Sequence, residues 1–369
     1  MQHPHLVVDI TGHGYGHLSQ TAPVIRQLLT VIPTIKITVR SSLDQTLVLS
    51  FIGNKELNRI HFSPPGPDFG MQMHDALTVD SNKSLQHYQF LHQNWPEKVN
   101  QEATNLVSLE PDLVLSNISY LTLAASAQLN IPCVALCSLD WASIFNAYCS
   151  DMPGSSEILA TMQESYQLAE AFLQPRPHLP MTYLENAKPI APISGPTTDK
   201  TKKLRQQLKI TTNQKLVLVN MGGMPLDIST DMLPLMNNVI WLIKKPDNAS
   251  RPDIVDIDEL AFEFSELLAS VDLIVSKTGY GMVVQAAYAQ TPILYIERGN
   301  WPEEDHLWPW CCEHNDCERI SLKEFKSKEL IRKVKNILDI NSVSVSPKRL
   351  KRGEVEAADY LVNLLKEKN

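Results

Sequence analysis

Short runs rich in apolar residues alternate along this chain with stretches of helical periodicity. Leu6–Ile10, Ile35–Val39, Pro111–Ser116 and Pro132–Leu136 predict strands in the first half. Between them, Ala22, Val24, Ile25, Leu28 and Leu29 recur on one helical face, and Leu85–Leu109, Leu121–Leu129 and Glu157–Phe172 predict further helices. Six prolines between Pro175 and Pro196, without a strong helical pattern, predict a crossing between two domains, 1–195 and 196–353. The cycle then restarts. Leu216–Asn220, Val239–Ile243, Asp272–Val275 and Ile293–Ile296 predict strands. Lys202–Leu208, Phe262–Ala269, the segment from Val283 to Ala289, Leu330–Leu338 and Val355–Leu365 predict helices. The alternation predicts an α/β fold of two Rossmann-like domains facing a central cleft.

Two strands run straight into glycine turns that open helices. In the second half the turn is Ser276-Lys277-Thr278-Gly279-Tyr280-Gly281-Met282. Such a turn puts backbone N–H groups and a helix N-terminus at the strand's carboxyl end, where an anion is stabilised. Lys277 adds a mobile positive charge, and Gly279 and Gly281 suit a sharp turn or close ligand approach. An ordinary βα turn, with glycines for geometry alone, explains the same residues equally well. In the first half the turn is Thr11-Gly12-His13-Gly14-Tyr15-Gly16-His17. Its G-x-G-x-G-H pattern departs from the dinucleotide fingerprint G-x-G-x-x-G. A dinucleotide loop has no use for His13 and His17, whereas a proton-transfer site does.

Composition narrows the choice. The chain has 369 residues and a formal net charge of −8, a size that favours two domains and a balance that argues against a general nucleic-acid binder. No apolar run approaches the roughly 20 residues of a membrane helix, and Met1-Gln2-His3-Pro4-His5 lacks the basic start of a signal peptide. A cytoplasmic protein without a transmembrane segment is the expectation. The six cysteines imply no disulfides in such a chain. Cys311, Cys312, His314 and Cys317 lack a second paired knuckle, so reduced thiols are expected there rather than a metal cluster.

Four segments carry a family resemblance: Gly12–His17; Pro111-Asp112 with its strand; Asn220-Met221-Gly222-Gly223; and Phe264 through Arg298, with Leu267-Leu268-Ala269, Asp272–Lys277, Gly279, Pro292 and Glu297-Arg298 as its fixed points. Together they resemble the two-domain (GT-B) glycosyltransferases, in particular the group of the peptidoglycan N-acetylglucosaminyl transferase. The first loop also resembles the glycosyltransferase-like domain of some plant sugar kinases. The resemblance implies a terminal helix, 354–367, crossing back onto the first domain. It implies a nucleotide sugar as substrate, UDP-linked, with no separate cofactor and no metal. Gly222, Gly223, Lys277, Thr278, Gly279, Tyr280, Gly281 and Arg298 are then donor-side residues. The family's acidic ribose ligand falls at Gln285, an amide that hydrogen-bonds hydroxyls but carries no charge.

Sugar transfer to an acceptor hydroxyl needs a base, and imidazole titrates near neutrality. His17 aligns with the family's Gly-His and His13 with the sugar-kinase-like relatives; capping of the following helix is the structural alternative for either. Gly14, Tyr15, Asp140 and Trp141 belong to the acceptor side on this reading. Asp256-Ile257-Asp258 mimics a metal-binding D-x-D but reads as an acidic loop, and Trp301, Trp308 and Trp310 serve either sugar stacking or packing. Two other functions stay open: a nucleotide-sugar epimerase on the same fold, and a non-catalytic binder of sugar nucleotides, which Gln285 favours.

Overall fold

The computed structural model describes residues 3–53, 57–66, 68–75, 77–222, 229–244, 251–339 and 350–367. The chain forms two compact units, residues 1–194 with 351–369, and residues 195–350.

Unit one is built on seven parallel strands: β1 His5–Ile10, β2 Lys36–Ser41, β3 Ile60–Ser63, β4 Leu113–Asn117, β5 Cys133–Leu136, β6 Ala171–Pro175 and β7 Ala187–Ile190. Their order across the sheet is β3-β2-β1-β4-β5-β6-β7. The first strand carries two neighbours that both follow it in sequence, so the winding reverses between β1 and β4. Ligands of open α/β sheets bind at such a reversal, beyond the carboxyl ends of the strands. β1 is buried throughout, which explains its apolar run Leu6-Val7-Val8. The helix Gly353–Glu367 packs against the helix Gly16–Val31 and against β7, burying Ala357, Ala358, Leu361 and Leu365. Gly353 opens it because the backbone leaves no alternative: a Cβ there would lie 1.9 Å from the Ala191 carbonyl oxygen. Its N–H bonds the Pro192 carbonyl at 2.9 Å.

Unit two repeats the scheme with β8 Lys215–Asn220, β9 Val239–Ile243, β10 Ile254–Asp256, β11 Leu273–Lys277, β12 Ile293–Ile296 and β13 Cys317–Ile320, all parallel, in the order β10-β9-β8-β11-β12-β13. Here the winding reverses between β8 and β11, where Asn220 pairs with Ser276.

The structure corrects several boundaries. The proline-rich stretch contains β7, and Pro189 is tolerated there because an edge strand needs donors on one side only. Phe172 belongs to β6, because the helix before it ends at Gln167. The segment Leu85–Leu109 is two helices, Ser81–His92 and Trp95–Leu109, broken where Asn94 turns left-handed ahead of Pro96.

Candidate functional site

Each winding reversal carries one of the glycine turns. In unit one, β1 ends at Ile10, and the Thr11 amide bonds the Asn117 carbonyl at the tip of β4 at 2.7 Å. The turn passes Gly14, with φ of 79°, and enters the helix Gly16–Val31. That register carries His17 under the sheet edge, 5% exposed. His17 Nδ1 lies 2.7 Å from Asn117 Oδ1. The amide's own nitrogen donates to Thr21 Oγ1 at 2.9 Å, so its oxygen faces the ring. An amide oxygen only accepts, so Nδ1 carries the proton and Nε2 keeps its lone pair. Burial drives the His17 pKa down to about 4, and the Asn117 bond only partly opposes this. The ring is therefore neutral at pH 7. The helix is pinned in this position by Gln20, which donates to Ser138 Oγ at 2.9 Å and accepts from the Ser138 amide at 3.1 Å.

His13 is half-buried, and its ring meets Trp141 edge-on at 5.2 Å between centroids; His17 lies 5.4 Å from the same indole. Gly70 seals the pair from the other side. A Cβ on it would lie 2.7 Å from Trp141 and 2.8 Å from His13. Tyr15 is exposed and caps the helix start without a side-chain bond. Asp140 is wholly buried as the N-cap of the helix Trp141–Cys149, accepting from the Ser143 amide at 2.7 Å and from Tyr183 Oη at 2.9 Å. Trp141 is also wholly buried. Trp141 therefore supports the loop from within, through His13 and His17, while Asp140 caps its helix. Asn117 and Gly70 escaped sequence reasoning; the polar residue closing β4, one place beyond the predicted strand, was the available signal for Asn117.

In unit two, β8 and β11 bring Asn220, Gly222 and Lys277 to one edge. Gly222 has φ of 71°, a left-handed conformation suited to glycine, and a Cβ on it would lie 3.6 Å from Lys277 Cε. Gly223 lies outside the described residues. Gly279 is extended, with φ of 179°, and starts the helix Tyr280–Ala289 without a side-chain cap. The space beside its Cα is open to 4 Å. The first amides of that helix, at Tyr280 and Gly281, thus face an edge that also holds Lys277. Burial lowers the Lys277 pKa to about 8, and the neighbouring Arg298 charge adds to this. Arg298 sits over the Trp301 ring at 3.9 Å. Glu304 ties the corner together. Its carboxylate accepts from Thr278 Oγ1 at 2.5 Å, from the Arg298 amide at 2.9 Å and from the Gly299 amide at 3.0 Å. Gln285 is half-buried on the same helix. Trp308 packs on Tyr295 and Trp310 stacks on His314, so both indoles serve packing inside this unit. Asp256 ends β10 and caps the turn after it, accepting from the Asp258 amide at 3.0 Å. Among the described residues, no three His, Cys, Asp or Glu side chains are grouped to hold a metal ion. Among them, too, no helix is long and apolar enough to cross a membrane.

No family model matches the chain. It is similar to an L-arabinokinase from Arabidopsis thaliana, 23% identical over 309 residues, which cover 81% of this chain; the chain spans 28% of that relative's length. Among solved structures it is similar to the glycotransferase of kitacinnamycin, with a TM-score of 0.64 and 14% identity over 99% of this chain and 100% of that one. Arabidopsis thaliana UGT89C1, solved with UDP-L-rhamnose, superposes with a TM-score of 0.61 and 12% identity over 99% and 100% of the two chains. A UDP-N-acetylglucosamine 2-epimerase from Listeria monocytogenes, named as putative, gives 0.58 and 12% over 98% and 95%. The expected likeness to glycosyltransferases and to a plant sugar kinase is what these comparisons find. The chain therefore has the two-domain, Rossmann-like GT-B fold of these structures.

Proposed function

We propose that this chain transfers a sugar from a UDP-linked donor to an acceptor hydroxyl. One observation carries the reading: the two winding reversals hold complementary chemistry, a neutral imidazole with a fixed tautomer in unit one and a cationic, amide-rich corner in unit two. In the reaction the acceptor oxygen bonds the anomeric carbon as that carbon's bond to the diphosphate oxygen breaks. The hydroxyl proton goes to His17 Nε2, and the electron pair leaves with UDP. His17 is a weak base at rest, but a hydroxyl attacking an electrophilic carbon becomes steadily more acidic, so the transfer has driving force once attack begins. Lys277, Arg298 and the helix N-terminus at Gly279–Gly281 balance the departing charge, and this reading requires no metal ion. Gly222 gives the diphosphate a close backbone approach, and Gln285 bonds the ribose through its amide. The Asn117 bond that fixes the tautomer of His17 supports His17 over His13 as the base.

The experiment is the His17→Ala substitution. Turnover is expected to fall by roughly 10²–10⁴-fold, the usual contribution of a positioned base, while nucleotide affinity stays within about twofold. Unchanged turnover in a folded His17→Ala protein contradicts the assignment. The epimerase reading is supported by the likeness to the Listeria protein. It is separated by running the reaction in deuterated water, where epimerisation by proton exchange labels the sugar ring carbon and transfer does not.

A further inference from the structure

We propose, resting on the transferase reading above, that Asn117 is a positioning residue that sets acceptor specificity. By giving His17 a neutral partner, it biases sugar transfer toward hydroxyls that ionise readily, those of phenols and enols, and against alkanols.

The orientation of Asn117 is imposed by its neighbour. Thr21 Oγ1 donates its single hydrogen to the His17 carbonyl at 2.9 Å. It can then only accept from the Asn117 amide nitrogen, also at 2.9 Å. The Asn117 oxygen is thereby turned to the ring. The side chain is wholly buried, and an amide does not ionise. Among the described residues, the other polar side-chain atom that reaches the ring is Cys137 Sγ, 3.6 Å from Nδ1. Among them, too, no carboxylate joins these two. Asp140 is turned to the Ser143 amide and Tyr183 Oη. Asp9 is turned to Arg40 and Thr122. Burial and the Asn117 bond accordingly set the titration of His17, and no charged neighbour contributes.

Transfer puts a positive charge on this ring as Nε2 takes the proton. A carboxylate at Nδ1 would offset that charge, which is its part in a Ser-His-Asp triad. An amide oxygen and a thiol offset it only weakly, and burial keeps water from doing so. The proton therefore moves to His17 only when the attacking oxygen has itself become a strong acid. An alkanol starts far from that condition, since it ionises near the pKa of water, roughly 16. A phenol, at about 10, starts much closer while still needing a base at neutral pH. Against a base whose pKa is about 4, the acidity of the acceptor becomes the main variable in the proton transfer.

The test gives the full chain a panel of UDP-sugars and two acceptor probes of like size, naphthol and its saturated alkanol counterpart, decahydronaphthol. Glycoside is followed by mass spectrometry and expressed as kcat/KM. The wild-type protein is expected to favour naphthol by roughly a hundredfold or more. Asn117→Asp puts a carboxylate at Nδ1 and should narrow that preference by roughly three- to thirtyfold, the alkanol gaining, as a base one to three units stronger allows. Differences in how the two probes pack cancel in this comparison. The His17 titration, read by NMR, should rise in the same variant. Cys137→Asp brings a carboxylate to Nδ1 from the other side and should act in the same direction, which covers a failure of Asn117→Asp to fold. Wild-type protein that glycosylates decahydronaphthol as readily as naphthol overturns the inference and leaves the transferase reading standing. So does an unchanged preference in a folded variant whose His17 titration has risen. No glycoside from either probe with any UDP-sugar sinks the transferase reading and this inference together.

Discussion

At the scale of single residues, the account turns on two groups whose charge the fold has shifted. His17 is held neutral by burial, with its pKa at about 4, and Asn117 fixes which nitrogen bears the proton. Asn117→Asp puts a carboxylate against Nδ1, which favours the imidazolium. The expected outcome is a rise in the His17 pKa by roughly one to three units, measured by NMR titration of the ring. The acid limb of the rate profile should shift with it; a profile unmoved in a folded variant would mean that His17 does not set it. Lys277 works in the opposite sense. With a pKa near 8 it loses its charge as the pH rises through that value. Nucleotide affinity is therefore expected to be highest below pH 8 and to fall above it, by roughly threefold or more. The Lys277→Ala protein should bind more weakly throughout and show no such fall. Calorimetry between pH 6.5 and 9.5 checks both. Lys277 and both histidines were legible in the sequence because their motifs are local. Asn117 was not, since its partner is 100 residues away and only the pairing of β1 with β4 joins them.

At the scale of elements, the strand–turn–helix at Lys277–Ala289 separates structural from functional use of glycine. Gly279 is extended and its Cβ position is open, so a side chain fits the fold there. It would, however, project into the space in front of the helix N-terminus. Gly279→Val is thus expected to keep its melting temperature within about 3 °C and to lose nucleotide binding by at least roughly tenfold. Calorimetry on a protein with an unchanged melt, showing unchanged affinity, would remove this turn from the donor site. The central strands were legible because parallel strands buried on both faces carry apolar runs, Leu6-Val7-Val8 in β1 and Leu273-Ile274-Val275 in β11. β3, β10 and β13 are three or four residues long and mix polar with apolar positions, so no period distinguishes them from loops. β7 was hidden by Pro189, whose presence argues against a strand everywhere except at a sheet edge.

At the scale of the whole molecule, one architecture is used twice, and each copy places a glycine turn where its winding reverses. That repetition was visible in sequence as alternating pattern, but strand order was not, because crossovers leave no local mark. A cavity beside Glu102 was equally invisible: its walls come from two helices and a loop that meet only after folding. The most direct measurement of the central claim is incubation of the full chain with a panel of UDP-sugars and hydroxyl-bearing acceptors, following UDP by chromatography and the acceptor by mass spectrometry. The account predicts UDP formed in equal amount to an acceptor heavier by one sugar residue, with both signals lost together in His17→Ala. Sugar nucleotides that bind and are recovered unchanged, or recovered as their epimers with no UDP released, would contradict it.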